Sequence, residues 1–251
     1  MSGLWTQLTE RLIDTHCHLH HYENPSMLVE KLQRQKIKVH LVTVKPEEYE
    51  ACINLTAEAP LIKPCLGLFP LYVEECREQL PFFWKALKTT RFVGEVGLDY
   101  SIEDTQAISL QKEVFTNIVR ACHDQGNKVL SIHSRKSADD VFSIIGKDFK
   151  GTAIMHWYSG KLEAAMTSAD NIFFSINTAM LKSRLGKKLI RSLSPEKVLT
   201  ETDGPYVKIN GRGAEPEDIR NVVNALSVHW QCSVEDVLSQ IELNYKRALE
   251  L

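Results

Sequence analysis

No stretch of the chain approaches the ~18 consecutive apolar residues that a membrane-spanning helix needs, so no membrane contact is expected. Met1-Ser2-Gly3-Leu4-Trp5 offers neither the basic segment nor the apolar core of a secretory leader, and a cytoplasmic location is expected. Net charge is nearly absent: 30 basic against 32 acidic side chains give -2. Such a balance supplies no long-range field for a polyanion, which excludes strong nonspecific duplex binding through a basic surface. Any nucleic-acid contact must be local. The one basic run, Lys182, Arg184, Lys187, Lys188 and Arg191, reads as a solvated helix face. Cysteine is scarce and unpatterned. Cys17, Cys52, Cys65, Cys76, Cys122 and Cys232 include no CxxC pair and read as scattered thiols of a reducing compartment. With 43% hydrophobic and 25% charged residues and no low-complexity tract, the chain reads as one ordinary globular domain over residues 1–251.

What is present is histidine and carboxylate at the ends of apolar runs. In Ile13-Asp14-Thr15-His16-Cys17-His18-Leu19 the two histidines stand at positions i and i+2, which share one face of a strand. Both imidazoles can then reach a single point at the strand's end, where a metal would sit. Cys17 between them faces the other way and reads as packing. Four further short runs end in a possible ligand: Phe92-Val93-Gly94-Glu95, Val129 to His133, Thr152 to His156 and Val198 to Asp203. Each is rich in β-branched residues and reads as a buried parallel strand. Ligands at one end of successive strands require a fold that gathers those ends.

Three more apolar runs, Val39 to Val44, Ile62 to Leu68 and Ile172 to Ile176, bring the strand count to eight. Helical stretches lie between them, over Met27 to Gln35, Glu47 to Ala59, Ser109 to Gln125 and Leu181 to Leu193. This alternation predicts right-handed βαβ units and, in a chain of 251 residues, an α/β fold of the (β/α)8 TIM-barrel type. Its active site is expected at the C-terminal ends of the strands, where the candidate ligands fall. Pro64 is a local objection to the third strand.

Five segments in order resemble the signatures of the TatD family of metal-dependent deoxyribonucleases. They are Asp14-Thr15-His16-Cys17-His18-Leu19, Val93 to Tyr100, Ile132-His133-Ser134-Arg135, His156-Trp157-Tyr158-Ser159-Gly160 and Leu199 to Tyr206. The wording of the later segments, with Ala179-Met180-Leu181, is similar to the TatD-like subunits of bacterial Qat antiphage defence systems. Carried over position by position, the resemblance implies a two-metal hydrolase. His16, His18 and Asp203 would hold one cation, His133 and His156 the other, and Glu95 would bridge them. Imidazole and carboxylate without thiolate suit Zn²⁺, Mn²⁺ or Mg²⁺. Glu95 and Asp203 are the expected catalytic carboxylates, with Asp203 able to accept a proton from water.

Phe69, Arg135, Trp157 and Arg212 are the candidate substrate contacts. The guanidinium groups suit a phosphate oxygen pair, and Trp157 offers a base-stacking face or a wall contact. His20 and His21 are expected in solvent, and His40, His123 and His229 as structural residues. One departure stands out: the family's Gly-x-His-Pro is here Gly67-Leu68-Phe69-Pro70, and Ala214 replaces an asparagine before Glu215-Pro216. The cage survives this change, but phosphate positioning is put in doubt. Three functions follow: a phosphodiesterase on single-stranded DNA or other nucleic-acid ends, a hydrolase of another bond such as an amide or aminoacyl-tRNA ester, or a binding subunit with defence-system protein partners.

Overall fold

Apolar residues in short unbroken runs can be covered only by neighbours on both faces, and the strands here are buried along nearly their whole length. The computed structural model describes Trp5 and residues 8–250. Eight parallel strands alternate with helices in chain order. The first half runs β1 (Ile13–Cys17), α1 (Pro25–Arg34), β2 (Lys38–Val42), α2 (Glu48–Leu55), β3 (Ile62–Cys65), α3 (Leu80–Leu87), β4 (Phe92–Asp99) and α4 (Thr105–Gln125). The second runs β5 (Val129–Arg135), α5 (Ala138–Ile145), β6 (Thr152–Met155), α6 (Leu162–Met166), β7 (Ile172–Ile176), α7 (Thr178–Lys182), α8 (Arg184–Ser192) and β8 (Val198–Thr200). A small hairpin, β9 (Lys208–Ile209) and β10 (Arg212–Gly213), precedes α9 (Ile219–Trp230) and α10 (Val234–Glu250).

Each strand pairs with the next, in the ladders β1-β2-β3 and β4-β5-β6-β7-β8, joined by a parallel bridge between Leu66 and Val93. The last strand returns to the first. Thr15 Oγ1 donates to the Thr200 carbonyl at 3.0 Å, and Thr200 Oγ1 donates to that of Ile13. Beyond the strands, Asp203 N donates to the His16 carbonyl at 2.9 Å and His18 N to that of Gly204 at 2.8 Å. The sheet is thus closed into the expected (β/α)8 barrel.

Two local devices make the strands fit. Pro64 lies in β3 after all, because even-numbered residues there turn their backbone toward β4, and bonding to β4 begins only at Leu66, whose N–H reaches the Phe92 carbonyl. The missing donor therefore falls where no partner waits. Gly97, at φ +142°, lets β4 and β5 approach, since a Cβ would lie 2.1 Å from the His133 carbonyl oxygen. β4 accordingly continues to Asp99, past the expected end at Glu95.

The helices bury one face each. In α4, Val114, Phe115, Ile118, Val119 and Cys122 form an apolar stripe at helical spacing, and burying Phe115 alone stabilises by roughly 1.5–3 kcal/mol. Asp104 caps that helix by accepting from Gln106 N and Ala107 N, so it starts four residues before the expected Ser109. The helix expected over Leu181 to Leu193 is two. Ser183, extended at ψ 149°, ends α7 and caps α8 by accepting from Gly186 N at 2.9 Å. The basic side chains on α7 and α8 are exposed, as a solvated face requires. Among the described residues, no helix is long and apolar enough to cross a membrane.

Candidate metal centre

β1 delivers the first pair of imidazoles. His16 and His18 alternate with buried Cys17, and their Nε2 atoms converge to 3.3 Å with the rings at 76°. Cys17 points away, its thiol toward the Gly204 carbonyl. Four other strands bring donors to the same point: Glu95 within β4, His133 within β5, His156 just past β6 and Asp203 just past β8. Glu95 divides the cluster. Its Oε2 lies 3.7 Å from His16 Nε2 and 3.6 Å from His18 Nε2, whereas Oε1 faces His133 Nδ1 at 2.8 Å and His156 Nε2 at 3.8 Å. Asp203 Oδ1 closes the first group, 3.9 Å from His16 and 3.6 Å from His18. It does so from the left-handed region, at φ 50°, a conformation uncommon outside glycine and tolerated by aspartate.

Behind these donors stands a layer of polar residues that the sequence did not single out. His16 Nδ1 lies 2.7 Å from Ser131 Oγ, and with that N–H donating, Nε2 keeps its lone pair for the centre. His156 Nδ1 meets Glu201 Oε2 at 2.9 Å, and Glu201 in turn accepts from Asn177 Nδ2 at 2.7 Å, from Trp157 N at 3.2 Å and from Ser175 Oγ. His133 Nε2 meets Asp99 Oδ2 at 2.8 Å. Asp14 accepts from Thr202 N, Thr202 Oγ1 and His16 N, tying β1 to the residues after β8. The signal for Glu201 was available as alternation, because it stands two residues before Asp203 on the same run.

Electrostatics differ across the metal-free cluster: against the effect of burial, the carboxylates beside them push His133 and His156 up, while the other two imidazoles go down. Burial, reinforced by neighbouring imidazoles, pushes His16 and His18 below the usual histidine range, so both are neutral, the ligating form. Burial works against the charge on Glu95, yet hydrogen bonds and charge from His133 and His16 hold it well below the carboxylate range. Asp203 is pushed up by burial, with Glu201 and Glu95 adding repulsion. Whether divalent ions fit is decided by the first pair of imidazoles: at Zn–N bonds of ~2.0–2.1 Å, nitrogens 3.3 Å apart subtend about 107°, close to tetrahedral. With the His16 N–H turned to Ser131, the lone pair of its Nε2 faces His18, whose Nδ1 has no partner. The donor set fits.

The centre opens into a cavity of about 610 Å³ at the C-terminal ends of the strands. Phe69 and Trp157 line it together with Tyr72 and Tyr206, and Arg135 stands exposed at its edge. Phe69 packs edge-on to His133, ring centroids 4.9 Å apart. Arg212 departs from expectation. Its guanidinium forks onto Asp218 at 2.7 and 2.9 Å, clamping the β9–β10 hairpin to the turn before α9, and it does not line the cavity. His20 and His21 also differ. Rather than standing in solvent they turn inward toward Glu48. His40 is the structural residue expected, buried with Nε2 3.0 Å from Tyr245 Oη.

A parallel eight-stranded barrel with imidazoles and carboxylates gathered at its strand ends defines a metal-dependent hydrolase. The chain belongs to the family of TatD-related DNases, whose model matches residues 13–250. An uncharacterized metal-dependent hydrolase of Methanocaldococcus jannaschii is 26% identical over 251 residues, covering 95% of this chain and 98% of that protein. Human deoxyribonuclease TATDN3 is 25% identical, covering 96% and 94%. In fold, the chain is similar to the TatD homolog YJJV of Escherichia coli, with a TM-score of 0.82 at 21% identity over 96% of this chain and 98% of that one.

Proposed function

We propose that this hydrolase is a phosphodiesterase that acts on single-stranded DNA ends, as a 3′ exonuclease, through two divalent cations. The observation that carries the reading is the division of Glu95: one carboxylate oxygen faces His16 and His18, the other His133 and His156. A bridging carboxylate between two imidazole groups is what a pair of closely spaced cations requires. His16, His18 and Asp203 would hold one cation and His133 and His156 the other, with Zn²⁺, Mn²⁺ and Mg²⁺ as the suitable ions. When bound, such a pair supplies positive charge for phosphoryl oxygens and acidifies water.

The chain's own residues do the rest. Asp203, with one oxygen turned to the cluster, keeps the other for a proton leaving the attacking water. Glu201 and Asp99 orient His156 and His133 and hold them against rotation. Phe69, Tyr72, Trp157 and Tyr206 offer aromatic faces to unpaired bases, and Arg135 offers its fork to a phosphate. A recessed site at the barrel mouth admits a thin single strand more readily than a duplex. The DNase names of relatives agree with this reading.

Phe69 favours a second reading beside it. An apolar ring stands against His133 where the family resemblance implies a polar histidine near the substrate, which suits a restricted substrate or a role within an antiphage defence assembly of the Qat type. Cytoplasmic action accords with six free cysteines. Release of mononucleotides from a labelled single-stranded oligomer is the expected result. Turnover of only duplex DNA or only aminoacyl-tRNA, at matched metal loading, would overturn the assignment.

A further inference from the structure

The loop after β1 brings a second group of donors together outside the centre. His20 Nε2 lies 3.3 Å from Glu48 Oε2, and His21 Nε2 lies 3.5 Å from Glu48 Oε1. One donor atom from each of the three residues lies within 4.8 Å of the other two. We propose that His20, His21 and Glu48 form a separate site for a divalent cation, Zn²⁺ or a similar borderline ion, at the rim of the barrel mouth.

Three observations carry it. First, both ring nitrogens of His20 are shielded from solvent and make no hydrogen bond. A cation would take the lone pair of one of these nitrogens, which has no well-aligned partner within the protein. Second, His21 is oriented from behind: its Nδ1 lies 2.8 Å from Tyr206 Oη, which leaves Nε2 turned to Glu48. Third, the carboxylate is pinned, accepting from Val44 N at 2.8 Å and Lys45 N at 3.0 Å through Oε2, so Oε1 is presented without rotational freedom. The two imidazoles meet opposite oxygens of the one carboxylate, His20 at Oε2 and His21 at Oε1, so the three side chains enclose a common point. Two histidines and a glutamate leave a fourth position for water or ligand. The His21 ring stacks 5.5 Å from that of His18, so a rim cation would place positive charge beside the cavity mouth, where an anionic group of a ligand passes. None of the three residues belongs to the strand-end cluster, and the inference stands whichever bond that cluster cleaves.

The test uses the intact protein. Crystals soaked in Co²⁺ are expected to show an anomalous peak bonded to His20, His21 and Glu48, apart from density at the strand ends. Filled strand-end density with no rim peak overturns the proposal. In solution, Co²⁺ stoichiometry should fall by one equivalent in Glu48→Gln, and the rim equivalent should persist in His16→Ala/His18→Ala. Unchanged stoichiometry in a folded Glu48→Gln protein would equally sink it; should that variant fail to fold, the anomalous map decides.

Discussion

Glu95 and Asp203 occupy different stations in the cluster, and their neutral isosteres separate the two. Glu95→Gln removes the charge shared by both imidazole groups, so it should lower bound metal as well as turnover. Asp203→Asn removes the proton acceptor and should leave more metal than rate. Each is expected to reduce kcat by at least ~10²-fold, the lower range for a positioned acid or base, checked by steady-state assay beside elemental analysis. His156 carries a pH signature. Burial opposes its charge, yet Glu201 at 2.9 Å, with Asp203 and Glu95 nearby, pushes it up from 6.5 to about 10 in metal-free protein. A group raised on folding stabilises fully below its unfolded value and loses that contribution as pH climbs through the folded one. Melts of chelator-stripped protein should therefore show a Tm that falls between pH 6.5 and about 10, and falls less in stripped Glu201→Gln. Equal falls in both would remove Glu201 as the cause. At Phe69, replacement by histidine restores one hydrogen bond to a charged group, roughly 1.5–3 kcal/mol. If that bond forms only in the transition state, the rate on a labelled single-stranded oligomer rises about ten- to a hundredfold; no rise would assign Phe69 to another substrate mode.

Among the connecting elements, the β9–β10 hairpin gives the clearest separation of stability from catalysis. Arg212 binds Asp218 with both nitrogens, and the Asp218 side chain is only 4% exposed. Arg212→Ala removes that carboxylate's cationic partner and leaves it the Glu215 N–H alone, at a cost of about 1–3 kcal/mol. A lowered Tm with unchanged KM is expected; a raised KM at unchanged Tm would return Arg212 to the substrate. Strands and ligands were legible because a buried parallel strand is apolar on both faces and its polar residue marks the end. Glycine hid the rest of β4: Gly97 argues against a strand until its contact with the His133 backbone is seen. The same register, Gly97 beside His133, brings Asp99 to the far side of that imidazole, a partnership no single segment announces. Ser183 escaped notice because helical spacing continues on both sides of it, while its hydroxyl starts a new helix. The fate of Arg212 depended on Asp218, six residues on, whose role shows only once the turn is folded.

Over the whole barrel, metal and fold are linked. Chelation should abolish turnover, and Zn²⁺, Mn²⁺ or Mg²⁺ should restore it. A cation at a hundred times its Kd should add about 2.7 kcal/mol of stability, read as a higher Tm that returns to the stripped value in His16→Ala/His18→Ala. The seam between β8 and β1 gives this linkage a further meaning. His16 and His18 come from the opening strand, Asp203 from beyond the closing one, and Asp203 N donates to the His16 carbonyl across the join. The chain must therefore be synthesised and folded at least through Asp203 before the first group of donors exists. A growing chain on the ribosome, or a fragment released by a protease, has no cage to load, and the hydrolysis that a loaded cage performs is withheld from every such incomplete form by topology alone.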